Sequence, residues 1–85
     1  MVDILSIDQA VQAQVKRHNL SRKFIKACSL LTQNITHPSL HVELLKPNQD
    51  GIYSFRLDRK YRCLFVYRPD RQIIEILTIT VHYRL

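Results

Sequence analysis

The chain has a single glycine, three prolines and two cysteines in 85 residues, and each scarcity removes a class of architecture. Cys28 and Cys63 are too few and too widely separated for a disulfide framework. Both sit among apolar neighbours and read as reduced packing residues. No apolar run approaches the roughly 18 to 20 residues that cross a bilayer, and Met1 to Gln9 has neither the basic start nor the apolar centre of a secretion signal. The expected location is therefore the cytoplasm, away from membranes. Metal donors are also sparse. Of four histidines, His37 and His41 stand closest to a ligand spacing. Pro38 interrupts any helix that would align them, and no cysteine or carboxylate cluster completes a tetrahedral set. We expect neither metal nor cofactor.

What is present is positive charge and regular patterning. Thirteen Lys and Arg against seven Asp and Glu give a net charge of +6, which favours polyanionic partners such as RNA, DNA, ribosomes or acidic proteins. A solvated basic surface with no nucleic-acid role is the plainer alternative. The length fits one domain, residues 1–85, with one modest core and any site on its surface.

Val2 to Ile7 alternates weakly and fits either a short strand or an irregular lead into a helix. Asp8 to His18 lacks Gly and Pro and places Ile7, Val11 and Val15 on one face, predicting a first helix. Asn19 and Leu20 break it, and Ser21 is the expected N-cap of a second helix, in which Phe24, Cys28, Leu31 and Ile35 recur at helical spacing as a core stripe. Lys16, Arg17, Arg22, Lys23 and Lys26 gather near the junction, as a solvated face or as a cradle for phosphates. His37-Pro38-Ser39 ends the helical half.

Beyond it, strands are predicted over Val42 to Lys46, Ile52 to Asp58, Tyr61 to Arg68 and Gln72 to His82. Their turns hold Pro47 to Gly51, Asp58-Arg59-Lys60 and Pro69-Asp70-Arg71. Such short connections require an antiparallel meander. Odd positions Tyr53, Phe55, Leu57, Tyr61, Cys63, Phe65, Tyr67, Ile73, Leu77, Ile79 and Val81 form an apolar set suited to packing on the helices. Even positions mix Leu64, Val66, Ile74 and Ile76 with Arg56, Arg62, Arg68, Thr78, Thr80 and His82, as a binding groove would. A one-residue bulge would invert the assignment beyond it.

The run VELLKPNQDGIYSFRLDRKYRCLFVY from Val42, followed by a strand ending in VHYRL, resembles the RelE/ParE toxin superfamily, and most of all its YoeB-like ribonuclease branch. A Glu-x-Leu-Lys strand entering a Gly-aromatic turn, an Arg in each of the next two strands, and a terminal His-Tyr carry the likeness. It covers roughly residues 40 to 83, with an architectural match over the helices. The resemblance implies an α+β fold in which an N-terminal helical hairpin packs on one face of a twisted, mainly antiparallel sheet. It further implies the toxin of a bacterial type II toxin-antitoxin pair. Such a toxin has a cognate acidic antitoxin, acts on mRNA at the ribosome, and forms a homodimer or a hetero-oligomer with its antitoxin. Glu43, Arg62, His82 and Tyr83 fall on the branch's catalytic positions, with Lys46, Arg56 and Lys60 as substrate-binding residues.

The chemistry of these side chains agrees with that assignment. RNA carries its own nucleophile, the 2'-hydroxyl, so a metal-free endoribonuclease needs a base, an acid for the 5'-oxygen and cations around the phosphorane-like transition state. Glu43 would be the base, His82 the acid and Arg62 with Arg56 the clamp. Tyr83 would orient the phosphate or stack on a base. Each has a plainer reading: Glu43 paired with Lys46, strand arginines in solvent, His82 on a rim, Tyr83 as a core cap. Rival functions are a ParE-type DNA gyrase inhibitor, which shares the fold but needs no acid-base set, and a non-catalytic basic adaptor binding RNA or protein.

Overall fold

In a computed structural model, which describes residues 2–45 and 51–81, two helices lie against a five-stranded sheet. Along the chain run β1 (Asp3–Ile4), α1 (Gln9–Arg17), α2 (Ser21–Gln33), a 3-10 turn (Pro38–Leu40), β2 (Glu43–Leu44), β3 (Ile52–Arg56), β4 (Tyr61–Arg68) and β5 (Ile73–Val81). The sheet order is β1-β5-β4-β3-β2. The meander β2 to β5 is antiparallel, as the short turns require, and β1 adds to β5 in parallel, pairing Asp3 with Ile73. Of the two readings of the N-terminal segment, the strand holds for Asp3–Ile4. Val2 and residues 5–8 are irregular.

α1 starts where Asp8 accepts a hydrogen bond from the Ala10 N–H, and it ends with Lys16 and Arg17 in its last turn, where cations favour the helix dipole. Val11 and Val15, one turn apart, are its buried face. Asn19 then takes a positive φ of 56°, a conformation Asn tolerates better than most side chains. The expected cap at Ser21 is not observed. Leu20 occupies the N-cap position without a side-chain hydrogen bond, and Ser21 is the first helical residue. Leu20 is buried in the core, so packing rather than capping sets the start of α2. The predicted α2 stripe is also rotated: Ala27 and Leu31 are its buried residues, while Phe24 and Cys28 flank the core half-buried and Ile35 lies past the helix end.

Phe55, Cys63, Phe65, Ile74, Ile76 and Ile79 form the sheet side of the core, facing Val11, Val15, Leu20, Ala27 and Leu31. Parity therefore holds in β3 and β4 but inverts within β5. The β4-β5 register shifts between Leu64 and Phe65: Leu64 pairs with Thr78 and Phe65 with Ile76, leaving Leu77 without a partner in the ladder. Such a bulge reverses which face later residues occupy. Ile74 and Ile76 thus lie in the core rather than on the opposite face. Leu77 and Val81 are exposed rather than buried, and Ile73 is half-buried.

Gln14 of α1 holds this irregular stretch. Its side-chain oxygen accepts from Ile79 N–H (3.0 Å) and from the Thr78 hydroxyl (3.2 Å). Replacing it leaves a partly buried backbone donor unpaired, at a cost of about 1–3 kcal/mol. Gln14→Leu should lower the urea midpoint accordingly, whereas Gln12→Leu, at an exposed α1 position, should change it little.

Candidate functional site

The face of the sheet turned away from the helices carries the charged candidates. Glu43 pairs with Ser54, Ser54 with Leu64 and Leu64 with Thr78, so these four form one row across β2 to β5. The next row is Arg56, Arg62 and Thr80. Leu57 N–H donates to Tyr61 O at 3.0 Å, which makes Arg56 and Arg62, one step along, a non-hydrogen-bonded pair with close side chains. Two like charges directly opposite each other are unfavourable until an anion sits between them. The structure thus brings Glu43, Arg56 and Arg62 together on one face.

Arg62 is the one buried charged residue among those described, with 6% of its surface exposed. Its guanidinium is fixed from two directions. Nε donates to the Ser54 hydroxyl at 2.8 Å, and Nη2 donates to Ser54 O at 3.3 Å and to the carbonyl of His41. That leaves Nη1 without a hydrogen-bond partner among the described residues. Burial lowers the Arg62 pKa from its usual value; nearby Glu43 opposes that shift and Arg56 adds to it. Arginine remains charged throughout the physiological range. His41, which supplies the carbonyl, has left-handed backbone angles (φ 45°, ψ 53°), a conformation that costs a non-glycine residue about 1–2 kcal/mol.

Arg56 is half-buried and its Nε donates to Asp58 O at 3.3 Å. Glu43 is exposed, with its carboxylate open to an incoming group. Lys60 is not joined to this set. Its ammonium lies 5.4 Å from the centre of the Tyr61 ring, and Tyr61 faces α1, where its hydroxyl meets His18 Nδ1 at 3.1 Å. Lys46, His82 and Tyr83 lie outside the described residues.

No protein-family model matches the sequence, and no curated protein matches it. Solved structures do. RelE in a RelE-RelB complex from Pyrococcus horikoshii aligns at a TM-score of 0.80 and 19% identity, over 99% of this chain and 98% of that one. A YoeB-YefM complex from Staphylococcus aureus aligns at 0.69 and 19%, over 98% and 99% of the two chains. YafQ from Escherichia coli aligns at 0.69 and 14%, over 96% and 94%. The chain has the RelE-like fold. The alignments run along nearly the whole length, helices and sheet alike, as the resemblance implied for the fold.

Within this RelE-like frame, two contributors went unnoticed in the sequence: the Ser54 side chain and the His41 carbonyl. Ser54 carried a signal, being a small polar residue between Tyr53 and Phe55 on the parity of the arginines. The His41 carbonyl carried none, because a backbone group leaves no trace in residue type. Both cysteines are free. Burial pushes the Cys28 thiol up to about 11 and raises that of Cys63 further, with Cys28 adding to the effect, which suits packing rather than reactivity. Among the described residues no group of three or more His, Cys, Asp or Glu is placed to hold a metal ion, and no helix is long and apolar enough to cross a membrane.

Two predictions follow from these contacts. Ser54→Ala leaves Arg62 Nε unpaired in a buried position, and should cost about 1–3 kcal/mol in denaturant unfolding. The second concerns Asp58, whose carboxylate accepts from the N–H groups of Lys60 and Tyr61, both at 2.8 Å, and pairs with Lys23 at 3.0 Å. Desolvation alone would raise its pKa, but these bonds outweigh it and the net value lies below the usual 3.8. The folded state then binds a proton less readily than the unfolded chain. The stabilisation is complete above the ordinary carboxylate pKa and is lost as pH falls through the lower folded value. Asp58→Asn should therefore show a shallower loss of stability on acidification below about pH 4, read from thermal unfolding midpoints.

Proposed function

We propose that this single-domain chain is the toxin of a type II toxin-antitoxin pair, an endoribonuclease that cuts mRNA on the ribosome and arrests translation. The observation that carries the reading is the pair of guanidinium groups at Arg56 and Arg62, directly opposite in the ladder and beside an exposed Glu43. Such a pair is costly in isolation and favourable around a phosphate.

In the proposed reaction the substrate's 2'-hydroxyl attacks the adjacent phosphorus while Glu43 takes its proton. The bond from phosphorus to the 5'-oxygen breaks as His82 donates a proton to that oxygen. Products are a 2',3'-cyclic phosphate and a 5'-hydroxyl, with water and metal uninvolved in the cleavage step. Arg62, held on its Nε and Nη2 edge by Ser54 and His41, presents Nη1 to the phosphate with little reorganisation, the kind of preorganised charge that contributes most to such steps. Thr80 stands opposite Arg62, and His82 and Tyr83 follow two and three residues later in the sequence. Tyr83 would orient the phosphate or stack on a base, and Lys46 would add to substrate attraction. Lys60, turned toward Tyr61, would contact RNA only away from the reacting phosphate.

For a partner we propose a small acidic antitoxin that covers the Arg56 and Arg62 face. The net charge of +6 supports this, as do the RelE-RelB and YoeB-YefM structures, which are toxin-antitoxin complexes.

Single-turnover cleavage of ribosome-bound mRNA tests the mechanism. Glu43→Gln and His82→Gln should each slow it by about 100- to 10,000-fold without shifting the unfolding midpoint. Arg62→Lys should be similarly impaired, because an ammonium cannot reproduce both the Ser54 bond and a fork on the phosphate. Near-normal cleavage by both Glu43→Gln and His82→Gln refutes the mechanism and restores the gyrase-binding or adaptor reading.

A further inference from the structure

Beside the arginine pair the sheet has a gap. β2 pairs only Glu43 and Leu44, opposite Ser54 and Tyr53, so among the described residues no strand lies alongside Arg56 and Leu57 on that side of β3. The chain that would have extended the ladder instead turns at the left-handed His41. What remains is a cleft of about 230 Å³ between α2 and the end of β3. Lys23, Lys26, Ala27 and Leu30 line it from the helix, and Ser39, Leu40, Arg56 and Leu57 line it from the other side.

Its charge is one-sided. Among the described residues no carboxylate lines the cleft. Lys23 is paired with Asp58, whereas Lys26 and Arg56 have no carboxylate within ion-pair distance among the described residues. Two cations with no carboxylate partner among the described residues therefore share the lining with Ala27, Leu30, Leu40 and Leu57. A ligand matching this has one compact negative charge joined to a flat or apolar body. A nucleotide unit of an RNA strand meets that description: the phosphate for the cations, the ribose and base for the apolar lining. An acidic peptide meets it only where an acidic and an apolar side chain lie side by side.

We propose that this cleft is a second RNA subsite, in which Arg56 and Lys26 hold a phosphate neighbouring the scissile one and the attached nucleoside packs on Leu30 and Leu57. The choice of RNA rests on the ribonuclease reading, because Arg56 belongs both to the cleft and to the pair with Arg62. A strand whose scissile phosphate lies at Arg62 enters the cleft as it passes Arg56. In this arrangement Arg56 bridges two successive phosphates, and Lys26 acts on binding and strand direction rather than on the reacting atoms.

The test is a double-mutant cycle between protein and ligand. Short 2'-O-methyl oligoribonucleotides, which lack the attacking hydroxyl, are titrated into the purified protein, with one phosphate at a time replaced by a neutral methylphosphonate. Wild-type protein should lose about tenfold in affinity at one position beyond that of the scissile phosphate, and Lys26→Gln should lose about tenfold with the unmodified strand but nothing further at that position. Lys16→Gln, on α1 outside the cleft, should show no such coupling.

Losses that add at every position, or unchanged affinity in Lys26→Gln, overturn the subsite, as does failure of wild-type protein to bind any of the strands. An acidic peptide whose binding needs Lys26 while no strand shows coupling would assign the cleft to a peptide and likewise overturn it. The ribonuclease reading is scored separately. Coupling in 2'-O-methyl strands with no cleavage of all-ribose mRNA keeps the subsite and removes the enzyme. Cleavage without coupling does the reverse.

Discussion

The structure turns on one extra residue in β5. Leu77 has no partner in the ladder, and its omission lets Ile74, Ile76 and then Ile79 all face the helices. Without the bulge Ile79 would face outward and Thr78 and Thr80 would enter the core, placing hydroxyls against Val11 and Val15. Gln14 makes the irregularity tolerable by bonding the Ile79 N–H and the Thr78 hydroxyl, so α1 is bound to the sheet by polar contacts as well as by apolar packing. The outward row of Arg56, Arg62 and Thr80 depends on the same step. A shift of one residue there would rebuild both faces at once.

Much of this was legible in residue order. Turn chemistry at Pro69-Asp70-Arg71 and Asp58-Arg59-Lys60 sets the β3 to β5 meander, and alternation in Tyr53 to Tyr67 assigns the faces of β3 and β4. The failures have identifiable causes. Parity counting has no means of seeing a bulge, because Leu77 looks as apolar as the residues it separates. The Ser21 cap lost to Leu20, whose burial outweighs a hydroxyl hydrogen bond of about 1 kcal/mol. At the site, Glu43, Arg56 and Arg62 were recognisable by type and order. Which of Arg62's donors are already committed was not, since that depends on a serine side chain and two carbonyls.

The buried Arg62 also separates two roles that strand arginines usually combine. One edge of its guanidinium is internal structure, joining β3 and the segment before β2 to β4. The other edge lacks a partner among the described residues. Arg56 opposite has, among the described residues, a single long bond to Asp58 O and keeps more freedom. One cation fixed and one adaptable suits a ligand whose charge redistributes as it reacts, because the fixed group sets geometry and the other follows.

The parallel pairing of β1 with β5 brings Asp3 beside Ile73, and α1 packs on that same strand through Gln14 and Ile79. Gln14 and Ile79 stand 65 positions apart, so the β1 edge of the sheet and the seat of α1 close only once β5 is in place. Until then the helical hairpin is a pair of short amphipathic segments without a sheet, too short to be stable alone. The cationic face is correspondingly unmade. Both faces of the sheet are thus completed together, when β5 inserts between β1 and β4.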